Sequence, residues 1–247
     1  MEKLVGAIRR AVDDYGMIGK NERVAVGVSG GKDSMLLLTA LNRLSRFHPQ
    51  NFTVQGIMLS LGTPGADPSE VAAFSKDEGI DLKIVPTQIH DIIFNIRKES
   101  NPCSLCAKMR RGALHDAAIE EGIRKIALGH HGDDAVETFV MNLFFEGRIG
   151  CYRPVTYLDR KDVTVIRPMI YVSERDVRNA VNRLGIPVMH NPCPADGHTE
   201  RTEMKDLIAS LEKDYPGLKQ RLYGALQRSE IDGWKEFPKG RKVYEEK

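Results

Sequence analysis

Val24-Ala25-Val26-Gly27-Val28-Ser29-Gly30-Gly31-Lys32-Asp33-Ser34, followed by the apolar run Met35 to Leu38, decides the fold class. An apolar strand runs into a Ser-Gly-Gly turn, and the turn opens a helix. Adjacent glycines let the backbone take positive φ and approach a ligand closely. The helix start then presents N–H groups and the positive end of its dipole, which together make an anion site. Lys32 adds a mobile positive charge. Asp33 suits a helix start and is also able to hold a metal ion on a phosphate. Ser29 and Ser34 add hydroxyl donors. The loop is not a Walker A sequence, because Asp33 follows Lys32 where Ser or Thr is required. The dinucleotide fingerprint G-x-G-x-x-G is absent as well.

Outward from this stretch the apolar pattern alternates between strands and helices. Residues 2–15 read as an amphipathic helix, 23–28 as a strand buried on both faces, and 33–46 as the helix after the loop. Strands follow at 52–60 and 82–86, separated by a helix that starts at Asp67-Pro68-Ser69-Glu70. A helix over 88–98 breaks at Ser100-Asn101-Pro102, and a longer helix runs over 103–122. A strand at 125–129, a helix at 133–146 and a strand at 163–167 continue the series. Ser173 caps a helix over 174–184, Ile186 to Asn191 is extended, and helices at 199–213 and 217–230 end the periodic part. The alternation predicts an α/β fold with a doubly wound parallel sheet, its crevice beyond the carboxyl ends of the strands. The expected organisation is one domain over 1–230: the first helix at 2–15, a nucleotide-binding core at 23–170, a helical C-terminal part at 173–230. Residues 231–247 are expected as a polar, loosely ordered tail.

Composition narrows the class. The chain has 247 residues, 41% hydrophobic and 28% charged, as in a globular protein. No apolar run approaches the ~20 residues of a membrane helix, and Met1-Glu2-Lys3-Leu4 lacks the apolar core of a secretion signal. A cytoplasmic location and no membrane partner are expected. The net charge of +2 leaves any nucleic-acid surface to local clusters of Lys and Arg.

Cysteine spacing marks a second site. Cys103-Ser104-Leu105-Cys106 places C-x-x-C at a helix start, with both sulfurs on one face. A helix N-terminus lowers a thiol pKa, which favours a soft metal centre or a thioredoxin-like redox pair. A zinc site would need a fourth ligand, often from a second C-x-x-C, and there is none. Cys193 lies between Pro192 and Pro194, in a loop stiff enough to present one sulfur to a fixed target. Three cysteines fit an iron–sulfur cluster with one iron left open; a redox pair plus an unrelated Cys193 is the alternative. Cys151 reads as a structural thiol. Lys108, Arg110 and Arg111 follow within two helical turns of Cys106, and the two arginines are placed to meet a phosphate.

A third site is Gly129-His130-His131-Gly132-Asp133-Asp134-Ala135-Val136-Glu137-Thr138. Gly129 ends a strand and the two aspartates open a helix. One carboxylate serves as a cap, and the other is spare for Mg²⁺ or for orienting an attacking group. Adjacent histidines point apart, which argues against a two-histidine metal site.

Ser29–Ser34 resembles the pyrophosphate loop of the PP-loop ATPases, which cleave ATP between the α and β phosphates and adenylate a substrate. The wider combination resembles the tRNA 2-thiocytidine synthetase family, the TtcA group of PP-loop sulfurtransferases. The matching stretches are Ser29–Ser34, Cys103-Ser104-Leu105-Cys106 with Arg110-Arg111-Gly112, Ala127–Thr138, Ile166-Arg167-Pro168-Met169, and Cys193. Zinc-ribbon cysteines of the related thiouridine synthetases are missing. The resemblance implies a [4Fe-4S] cluster on Cys103, Cys106 and Cys193, and ATP with Mg²⁺ at Ser29, Gly30, Gly31, Lys32, Asp33 and Ser34. It implies adenylation of a pyrimidine oxygen of tRNA, most simply the 2-oxygen of an anticodon-loop cytidine, and replacement of AMP by sulfur. Lys32, Asp33, Asp133 and Arg110 are the expected catalytic residues, with Gly129 and His130 beside the nucleotide. Arg110, Arg111 and Lys108 are expected to meet RNA. The partners are then tRNA and a sulfur donor, either a cysteine desulfurase or sulfide, with a homodimer left open. Competing readings are a cluster protein acting on a small sulfur compound and a redox-sensing nucleotide-binding module.

Overall fold

The computed structural model describes residues 1–98, 102–190, 192–193 and 200–238. Helix α1 (Glu2–Asp14) leads into β1 (Arg23–Val28), α2 (Lys32–Ser45), β2 (Thr53–Ser60), α3 (Ser69–Asp77) and β3 (Asp81–Pro86). Next come α4 (Ile89–Asp91), α5 (Pro102–Glu120), β4 (Lys125–Ala127) and α6 (Gly132–Phe145). A hairpin of β5 (Val155–Leu158) and β6 (Val163–Ile166) precedes α7 (Glu174–Leu184), α8 (Glu200–Asp214) and α9 (Leu218–Arg228).

The strands form a mixed, mostly parallel sheet in the order β3-β2-β1-β4-β6-β5. Side chains of β1 alternate between two cores, as strand geometry requires. Val24, Val26 and Val28 join the large cluster built on α1 and α2, and Ala25 joins Ile57, Ile126 and the α5 residues Ala117 and Ala118. Burial on both faces explains why β1 reads as an unbroken apolar run. β1 pairs in parallel with β2 and β4, Val24 facing Val54 on one side and Lys125 on the other. The strand order reverses between β1 and β4, and open sheets of this kind bind ligands beyond that point. The Ser29–Ser34 loop leaves β1 there, and the Gly129–Asp134 loop leaves β4. Among the described residues, no helix is long and apolar enough to cross a membrane.

Several local expectations need correction. β5 lies within 147–162, a stretch that carried no expected element, and runs antiparallel to β6 with Val155 opposite Ile166. It is a short edge strand, and the left-handed Asp162 at φ 49° turns the chain back. The 88–98 helix is interrupted: α4 continues as a π-turn (Ile92–Ile96), which keeps Ile89 and Ile93 buried together. Residues 186–190, expected as extended, join no strand of the sheet. Ser100 and Asn101 of the expected break, Asn191, Pro194 beside Cys193, the start of the 199–213 helix and residues 239–247 lie outside the described residues.

Residues 231–238 do not form the loose tail expected over 231–247. Trp234 is fully buried, and its indole Nε1 donates to the Tyr152 carbonyl at 2.8 Å. Its ring meets Tyr223 edge-on at 6.0 Å. One aromatic residue in a polar context thus anchors the 231–238 segment against residues 150–152. Trp234→Ala removes this packing and should cost about 3–5 kcal/mol. Urea unfolding checks it; a destabilisation below about 1 kcal/mol would mean the anchor carries little.

Candidate active site

The loop after β1 is closed by its own hydroxyls. Ser34 Oγ donates to the Gly31 carbonyl at 3.0 Å and accepts from the Ser29 amide at 3.1 Å. A hydroxyl has one proton, so Ser29 Oγ donates to Ser34 Oγ at 3.0 Å and accepts from the Gly31 amide at 3.2 Å. Both serines therefore shape the loop in this state, where the sequence suggests ligand donors. Gly30 sits at φ +80°, and a Cβ there would come within 2.8 Å of the Met189 Cβ. The Gly30 carbonyl accepts from the Met189 amide at 2.9 Å, tying the segment that leads to Cys193 onto the loop. Gly129 packs from the other side: a Cβ on it would stand 3.0 Å from the Asp33 carbonyl carbon. The two strand-end loops thus touch through backbone.

A polar cavity of about 210 Å³ opens at this junction, lined by Lys32, Asp33, His131, Asp134, Glu137, Glu174, Arg201, Thr202 and Lys205. Lys32 Nζ lies 2.9 Å from Asp33 Oδ2 and 3.4 Å from Glu174 Oε1. Burial works against its charge, but these carboxylates outweigh burial and raise its pKa above the usual lysine value. Burial likewise opposes the Glu174 charge, yet hydrogen bonds and charges of Lys205 and Lys32 bring its pKa down to about 2. Glu137 behaves oppositely: burial and the neighbouring Asp134 push it up to about 7, against the pull of Arg201 and Lys205.

The helix start at α6 divides its carboxylates. His131 is the cap: its Nδ1 accepts from the Asp134 amide, and Asp134 Oδ2 accepts from the His131 amide at 2.8 Å. Asp134 lines the cavity. Asp133, the carboxylate expected to be catalytic, turns instead to α7, where Oδ2 accepts from the Glu174 amide at 2.7 Å and Oδ1 pairs with Lys219 at 3.3 Å. His130 points the other way from His131, with its ring 5.0 Å from Tyr152. Burial, then the charge of Arg167, lowers its pKa to about 4, so it is neutral at pH 7; its buried Nδ1 has no partner among the described residues.

The cysteines occupy a neighbouring zone. Cys103 is exposed, Cys106 and Cys193 are half-buried, and Cys151 is buried. Burial pushes the Cys106 thiol up, the charge of Arg110 pulls it down, and charges on Cys193 and Cys103 push it up again. The lowering expected from the helix N-terminus is therefore outweighed by desolvation. Charges on both Cys103 and Cys193 are thus felt at Cys106, whose sulfur is hydrogen-bonded to Arg110. Among the described residues no cage of three or more His, Cys, Asp or Glu is drawn to metal-binding spacing. Three soft thiol donors beside a cation nevertheless fit a thiolate-bound iron–sulfur cluster better than a hard cation. Cys151 stands apart, its Sγ donating to the Ala135 carbonyl at 3.4 Å and its pKa pushed up to about 12 by burial. Arg111 and Lys108 are exposed, Arg111 Nε donating to the Ala107 carbonyl at 3.3 Å.

Sequence reasoning missed Glu174, Arg201 and Lys205. The Arg201–Lys205 spacing put both on one helix face, but nothing in the sequence tied that face to the loop after β1.

The family model of the PP-loop domain matches residues 3–210. A Geobacter sulfurreducens protein named tRNA-cytidine(32) 2-sulfurtransferase is 38% identical over 228 residues, 91% of this chain and 89% of its own length. The chain belongs to this family of PP-loop sulfurtransferases. A Pseudomonas putida relative of the same name is 35% identical, over 91% of this chain and 84% of its own. Among solved structures, the U34-tRNA thiolase NcsA from Methanococcus maripaludis, described with its [4Fe-4S] cluster, superposes with a TM-score of 0.72 at 27% identity. That match covers 89% of this family member and 76% of the thiolase. An NH3-dependent NAD synthetase from Campylobacter jejuni, at 19% identity and a TM-score of 0.51, shares the fold.

Proposed function

We propose that this chain is an ATP-dependent tRNA sulfurtransferase that replaces the 2-oxygen of cytidine 32 with sulfur. The observation that carries it is the main-chain bond from Met189 to Gly30, at 2.9 Å. Four residues beyond Met189 comes Cys193, and four residues span at most about 14 Å. This supports a reading in which a phosphate-binding loop and the Cys193 thiol lie within reach of each other, as activation and sulfur delivery at one base require.

In this reading the turn at Ser29–Ser34 holds the phosphates, with Lys32 as their mobile charge and Asp33 and Asp134 as carboxylates for Mg²⁺. Gly129 keeps the β4 loop close enough to border the nucleotide, and His130 stands behind it. Cys103, Cys106 and Cys193 would hold a [4Fe-4S] cluster, which when bound supplies a soft metal that keeps sulfide deprotonated and nucleophilic. Arg110, touching Cys106, holds negative charge near those sulfurs. Asp133 positions α7 through the Glu174 amide. The sulfur comes from a cysteine desulfurase or free sulfide. Residues 1–230, with Trp234 packed on Tyr152 and Tyr223, act as one unit, and cytoplasmic tRNA is the substrate pool.

Complementation tests the reading. Expression in a bacterium lacking its own tRNA-cytidine(32) 2-sulfurtransferase should restore 2-thiocytidine in digested tRNA, read by mass spectrometry; an unchanged nucleoside profile overturns it. RNA binding at the α5 face gives a second test. Removing one phosphate-binding cation lowers the slope of log affinity against log salt by about one. Arg110→Ala/Arg111→Ala should weaken tRNA binding and flatten that slope by about one to two units. Unchanged slope and affinity would move the RNA surface off this helix.

A further inference from the structure

We infer that Arg201 and Lys205 of α8 form the far wall of the pyrophosphate site, opposite Lys32, and hold the leaving pyrophosphate. The inference rests on the ATP-dependent reading above and assigns the phosphate end of that site. Three observations carry it. Arg201 and Lys205 line the same 210 Å³ cavity as Lys32. That volume is below the roughly 300 Å³ at which pockets begin to enclose whole small molecules, so it suits a phosphate chain rather than an entire nucleotide. The i, i+4 spacing puts both cations on one face of α8, aimed the same way.

The ion pairs themselves are of an exchangeable kind. Lys205 Nζ lies 2.8 Å from Glu174 Oε2, and the same carboxylate stands 3.4 Å from Lys32 Nζ. One carboxylate therefore bridges two lysines, the position a phosphate oxygen would take. Arg201 Nη1 lies 3.2 Å from Asp134 Oδ1 and 3.4 Å from Glu137 Oε2, and Nη2 donates to Thr138 Oγ1 at 3.1 Å. The Arg201 and Lys205 side chains are each 41% exposed, so neither is locked in the interior. Their carboxylate partners are more buried, Glu174 at 12% and Glu137 at 6%, so the cations are the side of each pair able to turn toward a more highly charged ligand.

The chemistry places the demand at this wall. A lone pair on the base oxygen forms the bond to the α-phosphorus, the bond from that phosphorus to the bridging β oxygen breaks, and pyrophosphate leaves with the electron pair. Negative charge grows on the leaving group, so cations fixed there act most strongly in the transition state.

Calorimetric titration with MgATP, magnesium pyrophosphate and AMP tests the assignment. Lys205→Met and Arg201→Gln should each weaken MgATP and pyrophosphate binding by about tenfold or more, as expected when a charge-assisted hydrogen bond is removed. AMP affinity should stay within about twofold. A Lys205→Met/Glu174→Gln double variant separates direct contact from release of Glu174 onto Lys32. It should remain about tenfold weaker for pyrophosphate than Glu174→Gln alone. Equal affinities in that comparison, unchanged pyrophosphate binding in the single variants, or AMP falling in step with ATP overturns the inference alone. Wild-type protein that binds no MgATP overturns the ATP-dependent reading and this inference with it.

Discussion

Lys32→Ala should lower tRNA-dependent pyrophosphate release by at least about a hundredfold, the scale of removing one preorganised charge donor. Lys32 opens α2 from the turn after β1 and reaches into the polar cavity. The substitution should leave the fold in place. Its carboxylate partners remain accommodated: Glu174 retains Lys205 at 2.8 Å, and Asp33 is one-third exposed to solvent. A partly exposed ion pair contributes on the order of 1 kcal/mol or less, so the thermal midpoint should move by only a few degrees. Release of labelled pyrophosphate, followed alongside a thermal melt, checks both halves. Wild-type turnover in this variant would mean that the turn does not hold the phosphates.

The cysteines give the second large effect. Protein purified without oxygen should be brown and carry about four irons per chain, the content of a [4Fe-4S] cluster. Cys103→Ala, Cys106→Ala and Cys193→Ala should each lose that iron and with it thiolation. Cys151→Ala should keep it, because Cys151 is buried against the Ala135 carbonyl, apart from the other three. The contrast between Cys193 and Cys151 is the informative one. Cys193 is far from the C-x-x-C pair in sequence, but its charge is felt at Cys106. Zinc in place of iron, or full iron in Cys193→Ala, contradicts the assignment.

How far the sequence carried the fold depends on what each element is buried in. β1 was legible to the residue, because burial on both faces leaves a continuous apolar run and the Ser-Gly-Gly turn ends it. α7 was legible from its cap, Ser173, whose Oγ accepts from the Asp176 amide at 3.1 Å. β5 was not, since an edge strand of four residues with one side to solvent has almost no pattern of its own. Trp234 was hidden by its polar neighbours; its partners, Tyr152 and Tyr223, come from separate elements that only the fold brings together.

The site divides the same way. Local motifs announced the Ser29–Ser34 turn and the cysteine pair. The choice between Asp133 and Asp134 was not local, because adjacent residues on a helix point about 100° apart and either can face the loop. Packing of α7 decided it by drawing Asp133 to the Glu174 amide. Arg201 meets Asp134 only because α8 folds back over α6, a contact that no spacing encodes.

Activation of a tRNA cytidine by ATP and its thiolation at one site can be read in a single reaction. The most direct measurement incubates the anaerobically purified protein with ATP, Mg²⁺, sulfide and unmodified tRNA, then quantifies AMP, pyrophosphate and thiolated nucleosides together. The expected result is 2-thiocytidine at position 32, formed with AMP and pyrophosphate in equal amounts. ATP cleavage without a thiolated nucleoside, or sulfur appearing on uridine instead of cytidine, would contradict it.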